Sequence, residues 1–225
     1  TGLCLKNAHN AALSGGTSLP ALLCPSSPLP AFGTPPGGTH RHLMPSYVGI
    51  AGATGEGDFL EARFNTTAAW CCEPGARDGW IAGGGMLVPN QSLTVGDARD
   101  GTSCTMIVGE CSDWMFDSDD QRHRVDGGWP YGWMIGCAGS GTPPAYTGDR
   151  AFNITTIHFS PNNFAYGMSG VASDHGPNSG LLSAHDEGFN ALSVDGHARY
   201  FAYNMDRMTL KRLATRDDGG VVTNY

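Results

Sequence analysis

The chain has 225 residues, enough for one sizeable domain that buries roughly 70% of its unfolded surface. Only 15% of the residues are charged while glycine reaches 33 and proline 14, which excludes a helical bundle and predicts a folded, loop-rich protein with many tight turns. The formal net charge is -8 and no basic run exceeds the Lys211-Arg212 pair, so nucleic acid and anionic membrane surfaces are not expected partners.

The chain opens at Thr1 without a methionine, so an upstream segment is expected to have been removed. Residues 2–13 place Leu3, Cys4, Asn7 and Ala8 along one helical side and stop at Gly15-Gly16, the pattern of the end of a helix. Residues 14–46 are rich in proline, glycine, serine and threonine and are expected to run as an extended, polyproline-like surface arm. Residues 47–225 form the globular head. Its apolar runs are short and bounded by Gly, Pro or Asp: YVGIA from Tyr47, TMIVGE at 105–110, FNITTIHF at 152–159, FNALSV at 189–194 and HARYFA at 197–202. These read as strands. Asp195-Gly196 joins the last two and predicts a type I′ hairpin turn. Asp206 is placed to cap a short helix through Leu213, with Met208, Leu210 and Leu213 turned inward. No window of about 18 apolar residues occurs, so no membrane span is expected. No repeat of solenoid or propeller length occurs either.

Seven cysteines are heavy use for a reducing cytosol, and their spacing lacks the paired C-x-x-C of a zinc site. Disulfides in an extracytoplasmic protein are the expectation, with Cys24, Cys71, Cys72, Cys104, Cys111 and Cys137 as candidates and the connectivity open. The count is odd, and Cys4 is the cysteine expected to lack an intrachain partner.

The segment HDEGFNALSVDG, from His185 to Gly196, is a histidine, nine intervening residues and then Asp195-Gly196. Together with GLCLKNAH at 2–9, LLCPSSP at 22–28, SYVGIAGATG at 46–55, DGTSCTMIVGE at 100–110 and LKRLATRDDGGVV at 210–222, it resembles the prepilin-type processing-associated H-X9-DG family, which carries domain of unknown function 1559. The matches occur in one order over nearly the whole chain, with Cys104 standing where the family pattern has asparagine. The resemblance implies an α+β fold: a pilin-like head, a short N-terminal helix remnant packed on an antiparallel sheet, many loops and a short C-terminal helix. The family motif falls on Asp100, Gly101, Thr102, Ser103, His185, Asp195 and Gly196. It further implies a bacterial surface or extracellular protein, made with a prepilin leader and a hydrophobic N-terminal helix, that polymerises with itself. This chain carries only the last turns of that helix. Assembly is therefore expected to use contacts between heads, with the Pro-rich arm or the Cys4-bearing stub as the linking element.

The expected function is thus that of a structural subunit of a filament or pseudopilus, with no catalytic residues. Asp174, His175, His185, Asp186, Glu187 and His197 contain the groups of an acid–base or metal site, but a structural pairing of imidazoles with turn backbone or carboxylates is the preferred reading. No nucleophile elbow, His-Glu-x-x-His helix or phosphate loop occurs. No cofactor is expected. Asp113, Asp117, Asp119 and Asp120 are calcium candidates, although their spacing lacks the glycine and terminal glutamate of an EF-hand. Asn65, Asn90 and Asn153 head N-x-Ser/Thr sequons and are candidates for glycosylation. Trp70, Trp80, Trp114, Trp129 and Trp133 sit near Gly, Pro or Cys, and exposed ones can stack on sugars. A glycan- or partner-binding module is therefore the alternative function, and an extracellular hydrolase the third.

Overall fold

A computed structural model describes residues 8–67, 79–137, 139–148, 151–171, 177–220 and 222. It is a mixed α+β fold, with two α-helices among the described residues. Helix α1 (Ala8–Ser14) turns its buried Ser14 hydroxyl to within 3.2 Å of His42 Nδ1, which seats the helix against the Pro-rich segment. That segment contains two short strands, β1 (Phe32–Gly33) and β2 (His42–Leu43), paired antiparallel.

The main sheet has five strands. It is built from β3 (Tyr47–Ala53), β6 (Met106–Glu110), β9 (Ile154–Ile157), β10 (Gly188–Ser193) and β11 (Ala198–Ala202), in the order β11-β10-β6-β3-β9. All neighbours are antiparallel except β3 and β9. Two small hairpins flank it: β4 (Phe64–Thr67) with β5 (Gly79–Ala82), and β7 (Met115–Phe116) with β8 (Arg122–His123). Helix α2 (Arg207–Leu213) is capped by Asp206, whose carboxylate accepts the Thr209 N–H at 2.8 Å. Its Leu210 and Leu213 pack with Ile50, Met106, Phe189 and Phe201 in the principal core.

Two features depart from the expectations above. The hairpin between β10 and β11 turns at Asp195-Gly196, but through a three-residue loop. Ser193 N donates to His197 O, and Gly196 N to Ser193 O, both at 3.0 Å. Only Gly196, at φ +86°, takes a left-handed conformation, so the turn is an unprimed one closed by a glycine bulge and not type I′. The cause lies next door: Val194 N and Asp195 N donate to Thr105 O and Thr102 O, which holds both residues out of the mirror-image conformation. The Pro-rich segment, for its part, does not stay on the surface throughout. Cys24, His42, Leu43, Met44 and Ser46 are buried, Ser46 N donates to Leu22 O at 2.8 Å and Trp133 N to Leu43 O at 2.9 Å. A backbone short of regular partners is satisfied by bonding across segments.

Candidate functional site

Strand β10 accounts for the nine-residue spacing between His185 and Asp195. A strand advances about 3.3 Å per residue, so His185 stands ahead of the strand and Asp195-Gly196 beyond it, at opposite ends of one element. β6 lies antiparallel beside it, and the flanks of β6 meet those same two ends.

At the hairpin end, Asp100, Gly101, Thr102 and Ser103 form the entry to β6. Thr102 O and Thr105 O accept the Asp195 and Val194 amides at 3.1 and 2.9 Å. The Asp100 carboxylate accepts Asp218 N at 2.6 Å and Gly219 N at 3.0 Å, tying down the segment after α2. Gly101 sits at φ +107°, where a side chain would be strained, and Thr105 Oγ1 donates back to its carbonyl at 3.1 Å. The Asp195 carboxyl is held below its usual range, first by the His197 amide and then by the His197 ring, whose Nδ1 lies 3.1 Å away. Most of the contacts here are to backbone, which is an architectural role.

At the opposite end three side chains converge. Cys24 arrives on the Pro-rich segment, fastened by Ser27 Oγ donating to Ser112 O at 2.7 Å. Glu110 is the last residue of β6 and is fully buried. His185 is held by its backbone amide donating to Ser183 Oγ at 3.1 Å. Cys24 Sγ lies 3.5 Å from His185 Nε2, and that nitrogen lies 3.7 Å from Glu110 Oε1. One ligand atom from each residue falls within 4.8 Å of the other two. Ser112 Oγ donates to Glu110 Oε1 at 2.8 Å, and Asn190 donates to Oε2 through its backbone and its side chain at 3.0 and 3.1 Å. Burial pushes the Glu110 carboxyl up, but hydrogen bonds from Cys24, Asn190, Ser112 and Ser183 outweigh it and hold the group below its usual range. Burial and the Glu110 carboxylate raise the Cys24 thiol.

This arrangement suits some chemistries and not others. In a cysteine–histidine–acid triad the acid orients the imidazole through the nitrogen that does not face the nucleophile. Here thiol and carboxylate face the same nitrogen, so the set is poor for nucleophilic attack and well formed for holding a cation. Sequence reasoning had His185 and Cys24 as separate candidates and missed Glu110. The available signal was an acid closing the apolar run MIVGE, a place where carboxylates are buried only when paired.

The other candidates are dispersed. Asp186 and Glu187 form the turn into β10, where the Tyr200 hydroxyl donates to Asp186 O and Tyr203 N to Glu187 O; Asp174 and His175 lie outside the described residues. Asp117 closes the β7–β8 turn, accepting Asp119 N and Gln121 N at 2.9 Å and standing 2.7 Å from His123 Nε2. Asp119 and Asp120 are exposed, and Asp113 accepts the Trp114 amide. Asn65 Nδ2 donates to Tyr146 O, and Asn153 Nδ2 to Gly132, Trp133 and Ile135 carbonyls, whereas Asn90 is exposed and bonds Gly139 O and Gly141 O. Cys111 and Cys137 are free thiols raised by burial to about 12 and about 11. Cys104 Sγ lies 3.8 Å from Ser103 Oγ, while Cys4, Cys71, Cys72 and Trp70 are outside the described residues. Trp80 stacks on His158 at 3.8 Å, and Trp114 and Trp129 line a cleft with Phe32 and Tyr166.

No helix among the described residues is long and apolar enough to cross a membrane. No curated protein and no solved structure matches the chain. One family model does match, over residues 4–208, and the chain therefore belongs to the family described as Protein of unknown function (DUF1559).

Proposed function

We propose that the chain is a pilin-like, non-catalytic structural subunit that assembles outside a bacterial cell into a filament or pseudopilus. The observation that carries this reading is the edge of the main sheet. β11 is its terminal strand, with Ala198 and Ala202 exposed and Tyr200 53% exposed. Beside it Leu22, Tyr47, Val108, Leu192 and Ala198 line an apolar groove. A strand edge is a template for pairing with another chain. One asymmetric contact of this kind, repeated from head to head, generates an open helix. Residues 42–44 and 46 are buried in their own head, while most of the Pro-rich segment before them is exposed or half-buried. β11 already carries Arg199, and a second charge at Ala198, where the strand meets the groove, opposes such pairing further. Wild-type protein is expected to sediment as a concentration-dependent polymer and Ala198→Lys as a monomer. A wild type that stays monomeric at every concentration overturns the reading.

One feature favours binding as a second activity. Trp114, Trp129, Tyr166 and Phe32 flank Arg122 in an open cleft, the mix of flat apolar faces and donors that stacks on a sugar ring. An oligosaccharide bound there quenches tryptophan emission, and Trp114→Ala removes the quench.

A further inference from the structure

We propose that Cys24, Glu110 and His185 form a zinc site that clamps the Pro-rich segment to the end of the main sheet. The donor set is the first argument. A thiolate, an imidazole and a carboxylate together suit Zn²⁺ and are a poor match for calcium or magnesium, which take oxygen ligands. The second is distance. Bonds of about 2.3 Å to sulfur and about 2.0–2.1 Å to nitrogen and oxygen, at tetrahedral angles, place ligand atoms roughly 3.3–3.6 Å apart. The spacings here are 3.5 Å from sulfur to nitrogen and 3.7 Å from nitrogen to oxygen.

Charge supplies the third argument. Glu110 is fully buried, and among the described residues its one ionic contact is with His185. A buried carboxylate needs a cation. Its outer partners are those of a ligand held ready: Asn190 fixes Oε2 by two hydrogen bonds, and Ser112 orients Oε1, the oxygen that faces His185. The His185 side chain is 31% exposed and gives the ion a way in, with the fourth position open to water. On binding, the Cys24 thiol releases its proton to solvent and the thiolate takes the metal. The clamp joins segments 161 residues apart and is independent of how heads assemble.

The test is a cobalt titration of the full chain after chelation and thiol reduction, followed by competition with zinc. One Co²⁺ per chain is expected, with a thiolate-to-cobalt charge-transfer band and the intense visible bands of a tetrahedral site. Zinc should displace it. Cys24→Ser should abolish the charge-transfer band, and His185→Gln, with an unchanged circular dichroism spectrum, should weaken binding by more than about 100-fold, beyond the range of outer-shell changes. Cys137→Ser should leave the titration unchanged. Absence of the band in wild type, or its survival in Cys24→Ser, overturns the proposal and leaves the three residues as a hydrogen-bonded joint.

Discussion

Replacing Glu110 by alanine is expected to destabilise the chain by about 3 kcal/mol or more, measured in chelator so that bound metal contributes nothing. The change strands donors that are buried or half-buried around the carboxylate. Ser112 Oγ, the Asn190 amide, Asn190 Nδ2 and the Cys24 thiol all end on this one carboxylate. Each buried donor left unmade costs about 1–3 kcal/mol, and partial relaxation keeps the total below the sum. For a chain of this size that lowers Tm by roughly 6–12 °C. Arg207 supplies the control. It pairs with Glu56 at 2.8 Å, and the two side chains are 46% and 43% exposed, so Arg207→Ala is expected to cost about 1 kcal/mol or less. Equal melting shifts for the two variants would show that burial of Glu110 does not carry the energy assigned to it.

Phe189→Ala is the second large effect, about 3–5 kcal/mol. The ring is fully buried, stacks on Phe201 with centroids 5.6 Å apart, and meets Tyr203 at 6.2 Å. It sits in β10 midway between the two motif-bearing ends, with Leu210 and Leu213 of α2 in the same core. Truncation leaves a cavity that strands bonded on both sides cannot close. Chemical denaturation should report the loss as a lower midpoint with an unchanged slope. A shift below about 1 kcal/mol would mean that the core collapses around the gap.

What the sequence disclosed was local. The alternation in FNALSV and HARYFA, with Asp-Gly between them, located β10 and β11, and Asp206 located the start of α2. These signals act over a few residues, so the period and the cap are enough. The turn type was not legible, because it is set by Thr102 and Thr105 in the distant segment that leads into β6. Nor was the β4–β5 hairpin, whose strands have only four residues each and include Gly79. The Cys24–Glu110–His185 joint was least visible. Its members come from three separate segments, and nothing within any one of them marks the other two. The ordered motifs were nevertheless a map of it. Cys24, Glu110 and His185 each lie in a segment that carries the resemblance, and the fold brings the three residues together at the end of β6 and β10 away from the hairpin.

The central claim is that folded heads of this chain polymerise along the edge of the main sheet, and cryo-electron microscopy of the purified full chain tests it most directly. The account predicts helical fibres in which β11 of one subunit lies against its neighbour, with the apolar groove at Leu22, Tyr47 and Leu192 covered. Dispersed single particles, or fibres that leave β11 facing solvent, would contradict it.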